Sequence, residues 1–160
     1  MLTISKILTP TDLSELSQDG IRTAFEIANC TGAEVIIYHV IEHRGPMGYP
    51  ALFHDECTTH MDLIKEHKKL LATFFDANFA DFAPGVKVIQ EVELGVPYRK
   101  ILDRAEEAGA DLIVMSTHGR TGLLYGLIGS VAETVVRLAS CPVLSIHPIK
   151  RSHEMRTQAA

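Results

Sequence analysis

The residues best suited to chemistry lie between Asp111 and Pro148, in the string DLIVMSTHGRTGLLYGLIGSVAETVVRLASCPVLSIHP. A continuous apolar run, Leu112 to Met115, stops at a small polar stretch of Ser116, Thr117, His118, Gly119, Arg120, Thr121 and Gly122. Gly126 and Gly129 follow, and Ser130 opens a segment of helical period. Strand, glycine loop and helix start together suit an anion. Glycines let backbone N–H groups come close to it, and the first helical turn offers unpaired donors and a partial positive charge.

A second group stands near the N-terminus. In an open parallel sheet, ligands lie beyond the carboxyl ends of the strands, where the strand order reverses. If the first and fourth strands are neighbours there, Pro10, Thr11 and Asp12 face the glycine loop, and Val40 at the end of the second strand walls the same crevice. Asp12 with Glu15 also reads as a simple helix cap. Ser130 with Glu133 spells an S-x-x-E capping box, a role compatible with donating a hydroxyl to phosphate.

Other chemistries find less support. The chain has no G-x-x-x-x-G-K-[ST], and no G-x-G-x-x-G after the first strand. His39, His43, His54 and His60 have no zinc-site spacing, and Cys57 near His54 and His60 has no nucleophile elbow beside it. No residue stands out as a base that would activate water, so efficient turnover is not expected.

Positioning these residues requires alternating strands and helices. Ile4 to Thr9 reads as a first strand stopped by Pro10, and Leu13 to Cys30 as a helix closed by Gly32. Val35 to Ile41 is apolar on both faces, as a buried parallel strand should be. A poorly patterned loop, Glu42 to Asp55, precedes a helix near Thr58 to Phe79 with Leu63, Ile64, Leu70, Leu71, Phe74 and Phe75 on one face. Val86 to Val92 alternates, which suggests a strand exposed on one side or at a sheet edge. Pro97 suits the first position of a helix carrying Tyr98, Ile101, Leu102 and Ala105, and Gly109 its end. Val143 to Ile146 forms a short last strand. The pattern specifies an α/β fold with a mainly parallel sheet, as a single domain over 1–148 with a polar tail over 149–160.

Composition agrees with an ordinary globular chain of 160 residues, 46% hydrophobic and 22% charged. A formal charge of −5 argues against broad nucleic-acid or membrane-surface binding. No apolar stretch is long enough to span a bilayer, and the N-terminus lacks a signal-peptide layout. Cys30, Cys57 and Cys141 are odd in number and widely spaced, which suits a reducing cytoplasm.

At these residues the chain resembles the universal stress proteins, over nearly its full length. The nucleotide-binding members show G-x2-G-x9-G-[ST]; here Gly119, Gly129 and Ser130 take the later positions, and Ser116 stands in the first. STHGRTGL, GSVAE, CPVL and PTDLSE also resemble the family. The resemblance implies an open five-stranded parallel sheet, order 3-2-1-4-5, with helices on both faces in a Rossmann-like arrangement. It implies ATP between strands one and four: Pro10, Thr11, Asp12 and Val40 around adenine and ribose, and Met115, Ser116, Thr117, His118, Gly119 and Arg120 along ribose and phosphates. Gly129, Ser130 and Val131 would meet the phosphates, and Mg2+ or Mn2+ would accompany the triphosphate. The implied role is a stress-response regulator or sensor with slow or no hydrolysis, at most a weak ATPase. The resemblance also implies a homodimer through Val143, Leu144, Ser145 and Ile146. The alternative is a nucleotide-independent dimeric adaptor of the same family, suggested by Ser116 and the short apolar last strand.

Overall fold

The computed structural model describes residues 3–42, 60–82, 84–118 and 129–147. Most of the irregular loop after Glu42, the glycine stretch from Gly119 to Ile128 and the C-terminal tail lie outside the described residues.

Five strands form one parallel sheet: β1 (Lys6–Thr11), β2 (Glu34–Glu42), β3 (Val88–Gly95), β4 (Leu112–Ser116) and β5 (Val143–Ile146), in the order β3-β2-β1-β4-β5. The order 3-2-1-4-5 and the edge position of the third strand are as expected. Helices α1 (Gln18–Thr31) and α2 (His60–Phe79) cover one face, and α3 (Pro97–Ala108) and α4 (Ser130–Leu138) the other. Strand side chains alternate between two cores. Ile7, Val35, Ile37 and Val114 pack with Ile21, Phe25, Leu71 and Phe79. Leu8, Ile36, Tyr38, Ile113 and Met115 pack with Ile101, Ala105, Ala132 and Val135. No helix among the described residues is long and apolar enough to cross a membrane.

Helix ends follow local chemistry. Gly32 and Gly109 terminate α1 and α3 in the left-handed region, at φ 76° and 61°, and Pro97 opens α3. Four details differ from expectation. Leu13 is not helical; it turns at φ 63° ahead of a short 3-10 turn, Glu15–Ser17. Leu70 is 47% exposed rather than part of the buried stripe. The third strand begins at Val88, where its pairing with β2 starts opposite Val35, and runs on to Gly95 opposite Glu42. Pro10 does not stop β1 but lies inside it, paired in register with Tyr38.

The last point has a main-chain cause that also makes the crevice. Six register pairs join β1 to β2, from Lys6–Glu34 to Thr11–His39, but only Ile7–Leu112 and Leu8–Ile113 join β1 to β4. Backbone groups of successive residues alternate between the two neighbours. Ser5 accepts from Glu34 N–H on the β2 side, and Lys6 from Asp111 N–H on the β4 side. That alternation turns Pro10 and Asp12 toward β4, beyond the point where the ladder has ended. A proline there forfeits no ladder bond. The separation of β1 from β4 leaves an opening at the carboxyl ends of the strands, where the strand order reverses.

Candidate functional site

The opening is a cavity of about 510 Å³, within the usual range for small-molecule sites. Every expected site residue in the described part lines it: Pro10, Thr11, Asp12, Val40, Met115, Ser116, Thr117, His118, Gly129, Ser130 and Val131. Gly119 and Arg120 lie outside the described residues. Sequence reasoning did not place Ser17, Tyr38, Ile41, Pro97, Ile101, Ala132 or the pair His39 and His67 there. Tyr38 and His39 follow from strand alternation, one on each face of β2 just before Val40. His67 carried no local signal, since helix α2 reaches the site only through packing.

The β1 wall is built by a directed chain of hydrogen bonds. Leu13 N–H donates to Thr11 Oγ1 at 3.0 Å, and Ser17 Oγ donates to the Ser14 carbonyl at 2.7 Å. Ser17 has one hydroxyl proton, so the 2.8 Å contact between the two hydroxyls is Thr11 donating to Ser17. Asp12 Oδ1 accepts from Ser14 N–H at 3.0 Å and from Ser14 Oγ at 2.5 Å. Asp12 therefore closes an Asx turn. Ser14, not an Asp12–Glu15 box, caps the 3-10 turn that follows.

Ser116 is the last residue of β4, not the first of a loop, and its backbone has no positive φ. Its hydroxyl accepts from Gly20 N–H at 3.1 Å, although 96 residues separate the two. Gly20 occupies the third position of α1, and the N-cap residue Ser17 makes no side-chain capping bond. Ser116 thus supplies across the sheet the cap that α1 lacks locally. The approach is close: a Cβ on Gly20 would lie 2.8 Å from Ser116 N and 3.1 Å from Met115 C.

At the opposite wall, Gly129 is the N-cap of α4 in extended conformation, and Ser130 is the first helical residue. The expected S-x-x-E box does not form, because the cap position belongs to the preceding glycine. Gly129 N–H donates to the Thr117 carbonyl at 2.8 Å, and Glu133 N–H to the Gly129 carbonyl at 2.9 Å. Gly129 has no side chain with which to cap α4. Its first turn, Ser130 to Ala132, lines the cavity with the positive end of the helix.

The floor on the α3 side is apolar apart from Tyr38, whose buried hydroxyl has no hydrogen-bond partner within 3.5 Å among the described residues. Burial first, and then the neighbouring Glu93 carboxylate, push the Tyr38 pKa up, so the phenol stays protonated. Beyond the floor, Arg104 holds Glu91 in a bidentate pair at 2.5 and 2.7 Å, and Lys100 meets Glu93 at 2.8 Å. On the β4 side, Thr117 Oγ1 lies 2.8 Å from His118 Nδ1 and 3.3 Å from His147 Nδ1. Among the described residues no group of three or more His, Cys, Asp or Glu could hold a metal ion.

Comparison with known proteins agrees with this architecture. Residues 3–147 match the universal stress protein family. The universal stress protein MJ0531 of Methanocaldococcus jannaschii is 36% identical over 152 residues, covering 91% of this chain and 84% of the relative. The solved structure of MJ0577, from the same organism, superposes with a TM-score of 0.74 at 31% identity, over 91% of this chain and 96% of that one. A universal stress protein from Archaeoglobus fulgidus, solved in complex with dAMP, has a TM-score of 0.61 at 24% identity and covers 91% and 99%.

Proposed function

This chain belongs to the universal stress protein family, and we propose that within it the protein is an ATP-binding regulator or sensor of the stress response. The observation that carries this reading is the cavity itself. It begins where β1 and β4 part, and it ends on the first turn of α4, whose N-cap is Gly129. In this reading Pro10, Thr11, Asp12 and Val40 surround adenine and ribose, and Met115 to Arg120 follow ribose and phosphates. Ser130 and Val131 receive phosphate through N–H groups and the Ser130 hydroxyl, beside Gly129, whose own N–H is held by the Thr117 carbonyl. The correction at α4 favours this. As the first helical residue rather than the cap, Ser130 does not use its hydroxyl to close its own helix. The dAMP complex of the Archaeoglobus relative shows an adenine nucleotide on a protein of the same fold. Mg2+ or Mn2+ would travel with the triphosphate, bridging its oxygens. Ser116 is not an obstacle in this reading, because its hydroxyl is engaged on α1.

Hydrolysis is slow or absent, and the setting is cytoplasmic. Calorimetric titration of nucleotide-free protein with Mg–ATP is expected to show saturable binding. No binding at millimolar ATP would sink the reading and leave the nucleotide-independent adaptor.

Assembly as a homodimer is part of the same proposal. β5 is the outer strand, with Leu144 37% exposed, and α4 beside it exposes Val136 at 48% and Leu138 at 57%. An unpaired edge beside exposed apolar side chains suits pairing with a second copy. Sedimentation at micromolar concentration is expected to give a dimer, and Leu144→Asp a monomer. A wild-type monomer would remove this part.

A further inference from the structure

On the β2 flank of the cavity two histidines from different elements meet. His39 is 2% exposed, with Nδ1 2.9 Å from the Thr11 carbonyl oxygen and Nε2 2.9 Å from His67 Nδ1 on α2. A carbonyl only accepts, so His39 Nδ1 carries a proton. The ring centroids are 5.1 Å apart and the planes within 9°. With the two nitrogens in hydrogen-bond contact, the rings lie end to end in one plane, the geometry of an N–H···N bond. Two imidazoles on one metal ion would turn their lone pairs toward a common third point instead.

One proton must sit between the rings, and only one can. In the neutral pair His67 donates it to His39. When the pair gains a proton, either ring can be the imidazolium and donate to the other. A second added proton would set N–H against N–H, so the pair accepts one and resists two. The same pair fixes the ligand wall. His39 holds the Thr11 carbonyl toward β2, and a trans peptide then directs Asp12 N–H the opposite way, toward the crevice.

Charged and titratable groups surround it from several elements. Asp12 on the β1 side, Glu42 at the end of β2 and His118 after β4 share the cavity wall. On α2, the exposed Glu66 and Lys68 flank His67 in sequence. Within one small cavity, an anionic ligand adds to the field of the two wall carboxylates and favours the charged form of the pair.

Resting on the nucleotide reading above, we infer that the His39–His67 pair takes up a proton when an anionic nucleotide enters, so affinity strengthens as pH falls. The bound anion raises the pKa of the pair above its value in the empty protein. The gain is therefore complete below the pKa of the empty protein and is lost as pH rises through that of the complex.

Two measurements test this. Imidazole NMR resonances of the nucleotide-free protein are expected to titrate together, with one proton distributed over both rings. Two independent titrations near about 6.5, the ordinary histidine value, overturn the pairing. Calorimetric titration with Mg–ATP, in two buffers of different protonation enthalpy, is expected to show net proton uptake. Affinity should tighten roughly fivefold or more between about pH 8 and pH 6. His67→Asn keeps an amide N–H for His39 Nε2 but cannot share the proton, and it is expected to lose most of the uptake and flatten the pH dependence. It also serves as the control for protonation of the nucleotide itself. Uptake unchanged in that variant, or ATP binding with no pH dependence, overturns this inference alone. No ATP binding at any pH overturns the nucleotide reading and this inference with it.

Discussion

Gly20→Ala is expected to destabilise the protein by about 2 kcal/mol, the typical cost of forcing a methyl group into a close-packed contact. Helix propensity points the other way, since alanine is better than glycine inside a helix by about 1 kcal/mol. The contact decides the sign. The added Cβ would sit 2.8 Å from Ser116 N and 3.1 Å from Met115 C, both main-chain atoms of β4 at residues held in register by β5. Neither can swing away as a flexible side chain could. Nor can α1 lift off readily, because Ile21, Ala24 and Phe25 are fully buried beneath it. Denaturant unfolding is the measurement: a lower midpoint with an unchanged slope is expected, and a raised midpoint would show that the contact between α1 and β4 has slack. Ser116→Ala removes only the cap and should cost about 1 kcal/mol. Because the two changes share one contact, the double variant should not behave as their sum.

Asp12→Ala is expected to weaken Mg–ATP binding by roughly ten- to a hundredfold, the loss that accompanies a hydrogen bond to a charged group. The carboxylate stands at the cavity wall and also fixes its own turn through Ser14 N–H and Oγ–H. Alanine removes both contributions. Asp12→Asn keeps an oxygen for the Ser14 N–H while removing the charge, so the two variants separate wall geometry from electrostatics. If calorimetry gives wild-type affinity for Asp12→Ala, the β1 turn is not part of the nucleotide site. A thermal melt of each variant shows whether loss of the turn has spread into the fold.

Features decided within a few residues were legible from the chain alone. Gly32 and Gly109 end their helices, Pro97 begins one, and the unbroken apolar runs mark the inner strands. What failed to show was decided between elements. Pro10 reads as a strand breaker, since nothing in its neighbours in sequence says that the adjacent ladder stops at Leu8. Ser116 reads as a loop residue because its partner is Gly20, at the start of the first helix. Ser130 and Glu133 match a capping pattern that fails because Gly129 already occupies the cap. His39 stands out only as one of several histidines, and its meaning depends on α2 bringing His67 to it. The walls of the site were thus readable by position, whereas the contacts that hold them were not.

The parting of β1 from β4 after two register pairs carries a consequence for genetics. The opening is fixed by main-chain pairing, so it does not depend on any one of the side chains around it. Ligand-blind alleles that still fold and assemble should therefore be obtainable by single substitutions along the rim. Introduced into cells in place of the wild type, they would divide what the protein does when loaded from what its mere presence does.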